Sequence, residues 1–143
     1  MPSECKQFLY AELAVGQTAE FDFVITDKLV VEFASLSGDQ SPVHTDPAYA
    51  AQTEFGKPIA HGMIAGMLFS RLVGMELPGK YCVYLSQSFR FHHPMFPGQT
   101  ILVRGTLTQK SDAFRTVTIA IKIFDKHSGE LLVDGEALVR VLK

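Results

Sequence analysis

The chain changes its hydrophobic period once. Up to about residue 75 the apolar positions recur at helical spacing, apart from a short strand-like run from Phe21 to Ile25. Thr26 is placed to cap a helix with Asp27 in its first turn. Leu29, Val30, Phe33 and Leu36 share one face of it, and Gly38 supplies a stop. Beyond a break at Pro42, Asp46-Pro47 reads as an N-cap followed by proline at the first helical position, opening a short Ala-rich helix to about Gln52. A third helix is expected from near Gly62 to about Met75. Its apolar residues, from Ile64 through Leu68 and Phe69 to Val73, point in nearly every direction, which predicts a helix enclosed on all sides. Gly62, Gly66 and Gly74 each weaken that helix by roughly 1 kcal/mol relative to alanine, which makes sense where something approaches the backbone closely.

After Pro78 the period becomes two. Val83, Leu85, Phe89 and Phe91 are expected on one face, with Tyr84, Ser86, Ser88 and Arg90 on the other. Ile101, Val103 and Leu107 alternate with Arg104 and Thr106, and Val117 to Ile123 alternate with Thr116, Thr118 and Lys122. Leu131, Val133, Ala137, Val139 and Val141 alternate with Asp134, Glu136 and Arg140. Pro97-Gly98, Ser111-Asp112 and Ser128-Gly129 mark the joints. One enclosed helix followed by one antiparallel sheet has an economical solution in which the sheet curls around the helix. The expected class is therefore α+β with a hot-dog arrangement, in one domain spanning 1–143. Such sheets pair edge to edge, which predicts a homodimer.

Composition removes several classes. Thirteen basic against fifteen acidic side chains give no field suited to general nucleic-acid binding. The most apolar stretch, Met63 to Met75, is too short for a membrane span and contains Arg71. Met1 to Tyr10 has no apolar run that could serve as a leader. Cys5 and Cys82 are far apart in sequence and suggest neither a metal pair nor a disulfide framework. A soluble, cytoplasmic protein with reduced thiols is the expectation.

Two segments could carry chemistry. In Ser37-Gly38-Asp39-Gln40-Ser41-Pro42-Val43-His44, Pro42 pushes Ser41 towards an extended backbone, and a loop of this kind can bring Asp39 and His44 towards one point. A carboxylate and an imidazole sharing a water could activate it and deliver a proton. The plain alternative is an Asp that caps a turn beside a solvated His. The second segment, Pro58-Ile59-Ala60-His61-Gly62-Met63, leads into the third helix. Free N–H groups there stabilise negative charge, so the Gly62 N–H suits an oxyanion; the plain alternative is a glycine that only permits tight packing, and His61 reads as a cap or a packed core residue.

Taken together, these residues resemble the MaoC-like hydratases, and most closely the (R)-specific enoyl-CoA hydratases. The signature Gly-Asp-x-Asn-Pro-x-His is met by Gly38-Asp39-Gln40-Ser41-Pro42-Val43-His44. Thr45 to Ala51, Phe55 to Met63, Leu77 to Lys80 and Tyr84 to Phe89 extend the likeness, which covers roughly Phe21 to the C-terminus. The resemblance implies a catalytic Asp39–His44 dyad, an oxyanion donor at the Gly62 N–H, and Ser70 in support. It implies an acyl-CoA thioester substrate and (R)-3-hydroxyacyl-CoA product, with neither metal nor nucleotide cofactor. Ser41 departs from the family's asparagine, which places a short hydroxyl where an amide would reach further. The alternatives are a 3-hydroxyacyl-carrier-protein dehydratase, an acyl-CoA thioesterase, or a binding module without turnover. His92-His93 are expected as solvated imidazoles in a turn, and Arg90, Arg104 and Lys80 as ordinary surface cations.

Overall fold

The computed structural model describes residues 4–143, so the first three residues of the N-terminal stretch lie outside the described residues. Strand β1 (Thr18–Val24) precedes helix α1 (Asp27–Ser37), two single-turn helices α2 (Pro42–Thr45) and α3 (Pro47–Ala50), and the central helix α4 (Ile64–Arg71). Strands β2 (Cys82–Gln87), β3 (Arg90–Phe91), β4 (Thr100–Ser111), β5 (Thr116–Asp125) and β6 (Leu131–Val141) follow. They form one antiparallel sheet in the order β1-β4-β5-β6-β2, with the two-residue β3 paired to β6.

The sheet carries the core. Ile101, Val103 and Leu107 of β4, Val117 to Ile123 at alternate positions of β5, and Ala137, Val139 and Val141 of β6 are buried against α4. Gly105 lets the helix come close: a Cβ there would lie 2.4 Å from Leu72 Cδ2. The expected alternation of β4 and β5 is present, and that of β6 from Val133 onward; at its start Leu132 is fully buried and Leu131 only half-buried.

The helix caps form as their residue types dictate. The Thr26 hydroxyl accepts from the Leu29 N–H at 3.0 Å, and Gly38 ends α1 at φ 78°. Asp46 accepts from the Ala48 and Tyr49 N–H groups, but α3 stops at Ala50 rather than Gln52. The stripe of α1 that packs runs through Val30, Phe33 and Ala34. Leu36, expected on it, is 91% exposed because it lies about a third of a turn away from Val30.

Two expectations need correction. The central helix is not enclosed all round: Ile64, Ala65, Leu68, Phe69, Leu72 and Val73 are buried, while Met63, Met67, Ser70 and Arg71 are exposed in the single chain. Arg71, the last residue of α4, lies over the Phe21 ring of β1 at 3.9 Å. In β2 the parity is reversed. Cys82 and Tyr84 pack inward, where burial pushes the Tyr84 phenol up to about 12, and Val83 and Leu85 point out. A bulge between Tyr84 and Ser86 then flips the alternation, so Phe89 returns to the core.

Past Arg71 the helix widens into a π-helical turn (Leu72–Glu76), closed by the Leu77 N–H on the Leu72 carbonyl. The carbonyls at its end find partners elsewhere. Lys6 N–H donates to Met75, the Cys5 thiol to Gly74 and the Cys82 thiol to Val73. Both cysteines are free, and burial raises the Cys82 thiol above its ordinary value.

Candidate active site

The loop after α1 folds back as its composition suggests, although the segment after Ser41 is a helical turn and not a loop. Pro42 sits at the first position of α2, where its missing N–H costs nothing, and Ser41 is extended at φ −53°, ψ 132°. That turn lifts His44 towards the Ile59 strand-like segment, whose N–H donates to the Val43 carbonyl. The Asp39 carboxylate is held by the Ser41 N–H at 3.1 Å on Oδ1. The Ser41 hydroxyl makes no capping hydrogen bond to α2.

A carboxylate oxygen of Asp39 and ring nitrogens of His44 and His61 lie within 4.8 Å of one another. The two rings have opposite tautomers. His44 Nδ1 is 2.7 Å from the Ile59 carbonyl, which can only accept, so Nδ1 carries the hydrogen and Nε2 offers a lone pair. His61 Nε2 donates to the Asp39 carbonyl at 2.9 Å, so its lone pair is on Nδ1. His61 is 2% exposed, and that Nδ1 has no partner among the described residues. The rings stack with centroids 4.0 Å apart and planes 28° from parallel. One carboxylate and two imidazoles would suit a divalent cation by donor type. The two stacked rings hold their lone pairs in planes 28° from parallel, whereas a shared ion needs them to converge.

His44 and Gly62 line a cleft of about 310 Å³, walled by Phe55, Ile59, Phe91 and Met95. The Gly62 N–H makes no hydrogen bond among the described residues. Phe91 explains the glycine: a Cβ at Gly62 would lie 3.0 Å from its ring, and Phe89 approaches Gly66 in the same way at 3.4 Å. A Cβ at Gly74 would meet nothing within 4 Å, so close packing against a side chain does not account for that third glycine. Phe69, Phe89 and Phe91 stack in series at 5.5 and 6.0 Å, which ties the cleft wall to the core.

The fold therefore brings Asp39, His44 and Gly62 to one place and leaves Ser70 on the exposed side of α4, with no side-chain hydrogen bond among the described residues. His92 and His93 are exposed, as expected, but each also has an acidic partner. They line the same cleft, 3.3 Å from Asp134 and 3.1 Å from Glu130. Nothing in the local sequence names those partners, which lie across the sheet on and just before β6.

A six-stranded antiparallel sheet on one central helix, with Asp39, His44 and His61 gathered near that helix's N-terminal end, defines a hot-dog protein. The chain belongs to the MaoC-like family: the family's MaoC-like domain matches residues 11–126. It is 41% identical to an (R)-specific enoyl-CoA hydratase of Aeromonas caviae over 129 residues, 90% of this chain and 96% of the relative. A 3-hydroxybutyryl-CoA dehydratase of Methylorubrum extorquens is 34% identical over 143 residues, all of this chain and 90% of the relative. The solved structure of R-hydratase PhaJ1 from Pseudomonas aeruginosa superposes with a TM-score of 0.91 at 39% identity, covering 99% of this chain and 90% of that one. Its place among these enzymes makes the chain a hydro-lyase.

Proposed function

We propose that the protein adds water across the double bond of trans-2-enoyl-CoA thioesters, giving (R)-3-hydroxyacyl-CoA, and catalyses the reverse dehydration. The observation that carries this reading is the convergence of the Asp39 carboxylate and the His44 imidazole beside a cleft lined by Gly62, whose N–H has no hydrogen-bond partner among the described residues. Two acceptors facing one water let one of them take a proton as the oxygen attacks C3. The same proton is returned to C2, so hydroxyl and hydrogen are both added and no redox partner is needed. The Gly62 N–H at the mouth of α4 stabilises the enolate-like thioester oxygen that develops in between. The likeness to the Aeromonas caviae hydratase supports the substrate class and the product configuration.

The reading includes one domain over 1–143, no metal and no cofactor beyond the thioester carrier. A homodimer belongs to it too: β2 is an edge strand with Val83 and Leu85 turned outward, and α4 leaves Met63 and Met67 uncovered. The free thiols of Cys5 and Cys82 support a reducing, cytoplasmic setting, and no helix among the described residues is long and apolar enough to cross a membrane.

The test is incubation with crotonyl-CoA, following loss of the conjugated double bond, the product's configuration and any free thiol. Conversion to the (R)-3-hydroxy product is expected, with Asp39→Asn and His44→Gln each lowering turnover by at least ~100-fold. Thiol release would make the protein a thioesterase instead. Faster turnover of carrier-protein thioesters would move the substrate to that carrier, and near-normal rates in either variant would remove the dyad.

A further inference from the structure

His61 touches both members of the proposed pair and is neither of them. Its Nε2–H fixes the Asp39 main chain through the carbonyl, across 22 residues of sequence, and its ring lies flat on that of His44. The Phe33 ring, 4.8 Å away and tilted 46°, packs against it from α1. Its own position is set by the start of α4, where the His61 carbonyl accepts from the Ile64 N–H. A phenylalanine would fill much of the same space without leaving a buried ring nitrogen unpartnered, so packing alone does not account for an imidazole there.

We propose that His61 is a positioning residue for the Asp39–His44 pair: its N–H holds the Asp39 main chain and so sets where the carboxylate stands beside His44. The inference rests on the hydratase reading for its effect on rate, but not for its effect on the loop.

Two variants separate the parts. His61→Phe keeps a ring in the stack and removes the donor. His61→Gln places an amide N–H at about the reach of Nε2 and removes the ring. With crotonyl-CoA, His61→Phe is expected to lower kcat by ~30-fold with KM changed less than ~3-fold, as a displaced catalytic group does, while His61→Gln stays within ~5-fold of the parent. Amide hydrogen exchange on the same proteins reads the loop without turnover. The Ser41 and His44 amides, bonded to Asp39 Oδ1 and the Ser41 carbonyl, should exchange ~10-fold faster in His61→Phe and near the parent rate in His61→Gln. A His61→Phe protein with parental exchange at those amides overturns the proposal, as does equal loss of kcat in both variants in step with a lowered Tm. A wild-type protein inactive on every enoyl thioester would remove the hydratase reading alone, because the exchange experiment still decides the positioning role.

Discussion

The proton on His44 sits on Nδ1 because the Ile59 carbonyl can only accept it, and this leaves the Nε2 lone pair to act as a base. The same logic of fixed acceptors governs Asp125 at the far end of β5. The Ser128 N–H foremost, then the Gln99 side-chain amide, hold its carboxyl below the ordinary value of 3.8. A depressed folded value means that the ionised form stabilises the fold above the unfolded value, and that this contribution is lost as pH falls through the folded one. Asp125→Ala should therefore cost about 1 kcal/mol at neutral pH, the scale of a lost turn-capping acceptor. The Tm gap to the parent should narrow in scans below about pH 4. A gap that persists at pH 3 would show that the charge is not its source. At this scale the sequence pointed to Asp39 and His44 through a signature spacing, and to Gly62 through a helix entry, and the fold places the three near one another. The tautomers of His44 and His61 were hidden, since each is set by a carbonyl many residues away in the chain.

Between elements, the most confined contact is where the segment after β2 crosses β6. A Cβ at Gly135 would lie 1.9 Å from the Ser88 carbonyl oxygen, and backbone cannot move aside as a side-chain tip can. Gly135→Ala should destabilise the fold by about 3 kcal/mol, measured by urea unfolding. Because that segment carries β3, it should also displace Phe91 from Gly62. Gly62→Ala provides the contrast: Phe91 is half exposed and can swing, so its stability should fall by less than about 1 kcal/mol. If the two alanines cost the same, backbone crowding at Gly135 is not what matters. Alternation made β4, β5 and β6 legible, and capping residues made α1 and α3 legible. The parity of β2 was not, because a one-residue bulge leaves no mark in residue types, and α4 looked enclosed because composition cannot say which apolar residues a single chain leaves uncovered.

For the whole molecule, the uncovered apolar residues decide the assembly. Leu85, 52% exposed on an edge strand, is the residue to change. Light scattering should give twice the chain mass for the parent and move towards one chain mass in Leu85→Lys, with the circular dichroism unchanged. A parent protein that runs at one chain mass would end the dimer reading. The anchoring of the Asp39–His44 segment has another consequence, one of timing. Fixing the backbone of the seven residues from Gly38 to His44 costs about 1–2 kcal/mol each, and here that ordering is tied through His61 to the start of α4. The cost is met when the chain folds, before any ligand arrives, so a substrate meets a rigid template and its binding energy remains for strain and charge in the reacting thioester.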